Sequence, residues 1–223
     1  MDPVDDIKWT KRKAPKIEYT NKLFSEGAKH IILRTFPKNS SFETAKEMLI
    51  IQAATGRMDE FMENSIKKHD NDPAYAVKVY MEVFGLEYDA DFIEKVILES
   101  SEYVLQQKYA FNRPRPRQLS DVFKISFDIT ASKTAKTPAY PSGHSTQSRL
   151  IAEIYAEKYP QHRRNLLLAA DECGYGRIMA GLHYPSDHKA GVMLAKRLFS
   201  MMKGKKEVDR STFNKKIDFT LEK

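Results

Sequence analysis

Apolar residues in this chain recur at intervals of three and four and nowhere alternate over a strand's length, which leaves the helix as its dominant regular structure. The run Phe92, Ile93, Val96, Ile97, Val104 and Leu105 illustrates the pattern, after a start signal at Asp89-Ala90-Asp91. Similar spacing predicts helices over Glu43–Ala54, Met58–Lys67, Ala74–Phe84, a segment following Pro141, Arg163–Ala180, and Asp187 to about Met202. A further helix is expected near Asn21–Leu33. Gly56, Gly85, Pro160 and the group His69-Asp70-Asn71-Asp72-Pro73 punctuate the series. Ser40-Ser41-Phe42-Glu43 has capping-box spacing ahead of the first long helix. The segment Phe111–Tyr140 reads as a loop, long enough to suggest a functional rather than a connecting role. No internal repeat or dividing linker interrupts the 223 residues, so a single all-α domain spanning 1–223 is expected, with a polar tail from Gly204. Met48, Met62, Met81, Met193, Phe84 and Phe92 sit at helical spacing and read as core.

Composition narrows the class. No apolar run approaches the roughly 18 residues a membrane helix needs. The first residues, Met1 to Trp9, hold no apolar signal core, so a soluble cytoplasmic protein is expected. The single cysteine, Cys173, excludes an internal disulfide and falls in an apolar helix as buried filler. Net charge is +7, with the excess scattered along the chain. No zinc-ligand spacing, aromatic RNA-binding signature or basic heptad accompanies it, so no specific nucleic-acid partner is predicted.

Three segments carry the chemistry. In the first, Lys108 precedes Arg115-Pro116 by seven positions; the second is Pro141-Ser142-Gly143-His144. In the third, Arg177 precedes His183 by six and Asp187 follows it by four. The second segment leads into a helix whose first-turn N–H groups are unpaired and whose dipole is positive there. Gly143 permits close approach to the main chain, Ser142 caps the helix or donates to an oxyanion, and His144 brings an imidazole alongside. Lys108, Arg115 and Arg177 supply cations that match phosphate oxygens, the arginines bidentately. Asp187 is suited to fixing the tautomer of His183, leaving one ring nitrogen as nucleophile, and His144 to protonating a leaving group. If they converge, these groups describe phosphoryl transfer without a metal, by positioning and charge neutralisation. A metal pair at His183 and Asp187 lacks a third ligand and would be repelled by the cations.

These segments resemble the three signature motifs of the type 2 phosphatidic acid phosphatase superfamily: K-x6-R-P, P-S-G-H and S-R-x5-H-x3-D. The superfamily includes class A non-specific acid phosphatases, membrane lipid phosphatases and vanadium-dependent haloperoxidases. The resemblance spans residues 108–187 and implies a helical bundle of the acid phosphatase and vanadium haloperoxidase type. It implies hydrolysis of phosphomonoesters or diphosphates through a phosphohistidine on His183, with His144 as general acid and Asp187 orienting His183. Lys108, Arg115, Ser142, Gly143 and Arg177 would bind phosphate. No metal or cofactor is implied, and vanadate would enter as a phosphate mimic or inhibitor. Gly176 replaces the family serine, which would remove one hydroxyl from the site.

The partner expected is therefore a small phosphorylated molecule; a homodimer is left open. The alternatives are a vanadate-dependent haloperoxidase and a non-catalytic anion- or nucleic-acid-binding protein. Arg113 and Arg117 read as solvent-facing loop residues, and His30, His69 and His162 as surface residues. His188 is a candidate for the cavity rim, and Tyr140 and Tyr184 for its walls or for packing.

Overall fold

The computed structural model describes residues 2–20 and 22–203. Its regular structure is helical: α1 (Phe42–Thr55), α2 (Glu60–Asn71), α3 (Tyr75–Val83), α4 (Ala90–Phe111), α5 (Pro116–Phe123), α6 (Gly143–Lys158), α7 (Arg163–Met179) and α8 (Pro185–Ser200). Among the described residues there is no strand, only an isolated antiparallel bridge between Phe24 and Met202. None of the helices is long and apolar enough to cross a membrane. The polar tail expected from Gly204 lies outside the described residues.

α6 is the central helix, packed along α7 and α8 and touching α3 and α4. Its Leu150, Ile151, Ala152, Tyr155 and Ala156 join the main core with Val96, Tyr103, Leu166, Leu194 and Leu198. A smaller cluster of Met48, Leu119, Ile178 and Tyr184 closes the end where the motifs meet. Met48 and Met81 are buried as expected, whereas Met62, Phe84 and Met193 lie exposed on the outer faces of their helices.

Local chemistry sets the helix ends that matter for the site. α4 stops at Asn112, which takes a left-handed conformation (φ 50°) and turns the chain back just past Lys108. Pro116 opens α5, and the Gln118 side chain accepts from the Arg115 N–H. This helix lies inside the stretch 111–140 expected to be loop; the remainder, up to the cis Tyr140–Pro141 peptide, is irregular. Ser142 caps α6. Ser41 rather than Ser40 caps α1, through the Thr44 N–H. Just past α7 the chain turns at Gly181 (φ 71°), where a Cβ would come within 2.8 Å of the Asp128 carbonyl, and that turn delivers His183 to the mouth of α8.

Two more expectations fail. Residues 22–33 do not form the helix expected there: a 3-10 turn at Glu26–His30 sits between extended segments. The Glu99 carboxylate accepts the backbone N–H groups of Lys22, Leu23 and Phe24 and holds that stretch open. The expected break at His69 is instead the last turn of α2, which runs to Asn71.

Candidate active site

The three motif segments meet around one cavity of about 190 Å³, between the C-terminal half of α4, the start of α6 and the end of α7. Lys108, Arg115, Gly143, His144, Arg177 and His183 line it. Ser142 and Asp187, both fully buried, stand behind it, and the backbone N–H of Ser142 donates to the Asp187 carbonyl (3.0 Å).

His183 is held from both sides. Its Nδ1 lies 3.1 Å from Asp187 Oδ2, and its Nε2 lies 3.0 Å from Arg115 Nη1. A guanidinium only donates, so Nε2 is the acceptor, and the ring proton sits on Nδ1, facing the carboxylate. The lone pair is thus on Nε2, where Arg115 covers it. Burial, then the Arg115 charge, keeps this imidazole well below its ordinary pKa and therefore neutral.

Asp187 is fixed in turn. Oδ2 also accepts the Tyr184 N–H (3.0 Å), and Oδ1 accepts Arg113 Nη1 (2.7 Å). Burial works to raise its pKa, but Arg113 and the His183 and Tyr184 hydrogen bonds outweigh it and hold the carboxylate ionised. Arg113 continues the line to Glu47 Oε2 (3.0 Å) and donates to Ser186 Oγ (2.7 Å). Its guanidinium is sandwiched between Tyr184 and Phe36, at 3.8 and 4.8 Å from the ring centroids. Arg113 is therefore no solvent-facing loop residue; Arg117 is exposed as expected. Tyr184 packs on Arg113 and Tyr140 against Phe36 and Phe111, so neither forms a cavity wall.

Three cationic side chains line the cavity. Lys108 donates to the Pro138 and Ala139 carbonyls, and burial together with Arg115 lowers its pKa well below normal. Burial brings Arg115 down to about 10, with Asp187 opposing and Arg177 adding. Arg177 Nη1 pairs with Asp70 Oδ1 at 2.7 Å, while its buried Nε has no hydrogen-bond partner among the described residues. Asp70 also takes the Ser132 and Thr134 hydroxyls (2.6 and 2.8 Å) and the Lys133 N–H (3.0 Å). Burial acts to raise its pKa, and these donors overcome it, bringing the group down to about 2. The same residue's carbonyl lies 3.3 Å from His144 Nε2, so Nε2 carries the proton and Nδ1 is that ring's free nitrogen. Burial, then Arg177, depresses His144 to about 3.

Sequence reasoning missed Asp70, Glu47 and the inward turn of Arg113; no short motif marks any of them. It also placed His69 at the surface, whereas the ring is buried beside Tyr75. His30 is exposed, and His162 is half-buried against Tyr80. His188 is buried behind α6 rather than at the rim. A Cβ at Gly176 would meet Ile66 of α2 at 3.3 Å, so a side chain there would press on α2 rather than furnish the cavity. Cys173 is buried, and burial pushes its thiol up to about 12. Among the described residues no group of three or more His, Cys, Asp or Glu side chains is gathered to hold a metal ion.

Fold and cavity together define an all-helical protein organised around a buried cavity lined by Lys108, Arg115 and Arg177. Residues 93–202 match the model of the PAP2 superfamily, the family whose motifs the three segments resemble. An acid phosphatase of Zymomonas mobilis subsp. mobilis is 31% identical over 124 residues, covering 56% of this chain and 47% of that protein. A lipid A 1-phosphatase of Rhizobium etli is 36% identical over 85 residues, 38% of this chain and 36% of that one. The chain thus spans about half, or less, of the length of these curated relatives. Among solved structures, the first bacterial vanadium-dependent iodoperoxidase superposes with a TM-score of 0.64 at 16% identity, over 93% of this chain and 63% of that one. The helical bundle expected from the motifs is the fold found.

Proposed function

We propose that this chain is a phosphoric ester hydrolase that works on a small phosphorylated substrate through a phosphohistidine at His183. The observation that carries the reading is the pair of contacts on His183, Asp187 at Nδ1 and Arg115 at Nε2. They fix the tautomer whose lone pair faces the cavity. The names of the related proteins, acid phosphatase and lipid A 1-phosphatase, support the same chemistry.

A substrate phosphoryl group entering the cradle draws the Arg115 fork onto its oxygens and uncovers Nε2. Lys108, Arg177 and the N–H groups at Gly143 neutralise the remaining oxygens. Nε2 attacks phosphorus, the bond to the leaving oxygen breaks, and His144 gives that oxygen a proton. Asp187 stabilises the positive charge that the imidazole of His183 acquires. In the second half, water attacks phosphorus and its proton passes to His144. The P–N bond breaks, and orthophosphate leaves with His183 restored. Each step balances without a metal or an organic cofactor.

His144 needs a proton that it lacks in the empty cradle. A bound dianion offsets Arg177 and Lys108, which, with burial, hold its pKa near 3, so phosphate and proton enter together. Vanadate, a tetrahedral oxyanion of the same kind, would occupy this cradle and block hydrolysis.

The test is phosphate release from p-nitrophenyl phosphate in the presence of a chelator, with acid-quench trapping of phosphohistidine. Orthovanadate should inhibit, and His183→Ala should lower kcat by at least about 1,000-fold and abolish trapping. Activity surviving in His183→Ala would remove His183 as nucleophile. Halide oxidation on adding vanadate and peroxide, without phosphate release, would transfer the cradle to the haloperoxidase reading.

A further inference from the structure

Behind the cradle runs a line of hydrogen bonds that the hydrolytic steps leave unused. Ser142 Oγ accepts both the backbone N–H (3.4 Å) and the hydroxyl (2.9 Å) of Ser145. A hydroxyl has two lone pairs and one hydrogen, so only the hydrogen of Ser142 remains to be placed. The residue is fully buried, and among the described residues no protein acceptor takes that hydrogen. Ser145 directs its own hydrogen at Ser142, so His188 Nδ1, 3.0 Å from Ser145 Oγ, is a donor. The chain has one direction, from His188 to Ser145 to Ser142.

The packing is shaped around it. A Cβ on Gly174 would fall 2.2 Å from His188 Nδ1 and 2.9 Å from Ser145 Oγ. One on Gly191 would fall 2.6 Å from the Ser142 carbonyl and 2.9 Å from Ser145 Cβ. Tyr175 lies against the His188 ring, with centroids 4.8 Å apart. Burial keeps this imidazole below its ordinary pKa, with Asp171 opposing and Arg149 and Lys189 adding to the shift. At neutral pH it therefore has a single N–H, and the atom that carries it decides the direction of the chain.

We propose that His188 is a positioning residue for phosphate binding, turning the Ser142 hydroxyl, through Ser145, so that its hydrogen is offered to an oxygen of the bound phosphoryl group. Ser142 stands one residue behind Gly143, which lines the cavity. With the proton on Nε2 instead, Nδ1 would accept from Ser145, Ser142 would turn its hydrogen toward Ser145, and the anion would lose a donor. The identity of the ligand rests on the phosphatase reading above.

The experiment is a double-mutant cycle read by orthophosphate Kd from calorimetry. His188→Phe keeps a ring between Gly174 and Tyr175 but has no N–H, and it should weaken binding about tenfold. His188→Asn, whose amide N–H replaces Nδ1–H, should stay within about threefold of the parent. In a Ser142→Ala background, His188→Phe should change Kd by less than about twofold, because the donor it orients is gone. Equal weakening in both backgrounds, or no weakening in the parent, overturns the proposal. If His188→Phe does not fold, Ser145→Ala breaks the same chain at its middle link. It should reproduce the tenfold loss, and a Kd within about twofold of the parent would overturn the proposal. A parent that binds orthophosphate and hydrolyses p-nitrophenyl phosphate while the cycle is flat sinks only the role of His188. A parent that neither binds nor hydrolyses sinks the phosphatase reading with it.

Discussion

Arg113 carries the charge balance behind the nucleophile. Burial works against its charge, yet Asp187, Tyr184 and Glu47 together raise its pKa. Removing it would leave two carboxylates buried without their cation, a loss on the order of 3–5 kcal/mol. Arg113→Lys is the more informative change, because it keeps the charge but cannot span Asp187 and Glu47 with one planar fork. We expect kcat to fall about tenfold with KM within about threefold, since Asp187 rather than the cradle loses its anchor. Steady-state kinetics on p-nitrophenyl phosphate check this; an unchanged kcat would separate Arg113 from the function of Asp187. In the sequence, Arg113 and Arg115 sit in one Arg-Pro-Arg-Pro run, with nothing local to distinguish them. What separates them is Glu47, distant in sequence on α1, and two aromatic rings that only packing brings to Arg113.

At the scale of helices, the contact between α6 and α8 sets how closely the second and third motifs approach. Gly191 allows it, because a methyl there would drive into the Ser142 carbonyl, which is backbone and cannot rotate aside. Gly191→Ala should cost about 1–3 kcal/mol by overpacking, more than the roughly 1 kcal/mol that alanine gains over glycine in a helix. A melting temperature several degrees lower is expected, and an unchanged one would refute the close contact. α4, α6, α7 and α8, which build the site, are legible because caps and apolar periods act within four residues. α5 was not legible: only Pro116 and Leu119 of its eight residues are buried, too few to display a period. The expected helix at 21–33 lost to Glu99, whose carboxylate offers three backbone N–H groups a partner outside any helix.

For the whole molecule, the buried imidazoles govern how stability responds to pH. His144 is depressed from 6.5 to about 3, and His69, His183 and His188 are also lowered, burial being the first cause in each. The unfolded chain takes up these protons below about pH 6.5 while the folded chain does not, so acidification favours unfolding. Each such imidazole contributes up to about 1.4 kcal/mol per pH unit within its interval. Asp70 and Asp187 act in the same direction at lower pH: their stabilisation is present above about pH 4 and lost as pH falls through their lowered values, about 2 for Asp70. The melting temperature should therefore drop between pH 7.5 and 4.5. Saturating phosphate should shrink the drop, because His144 then takes its proton in the folded state. A melting temperature that rises on acidification would contradict neutral imidazoles in the core.

By itself the sequence determined that the chain is helical and singled out Lys108, Arg115, Gly143, His144, Arg177 and His183, which line one cavity, because helix signals and motif spacings are encoded among near neighbours. Only the tertiary structure decided that Arg113 backs Asp187, that Asp70 restrains Arg177, and that Ser142 and Asp187 stand behind the cavity. A buried charge takes whichever opposite charge the packing brings within reach. That partner comes from another helix, at a distance along the chain that no local pattern records.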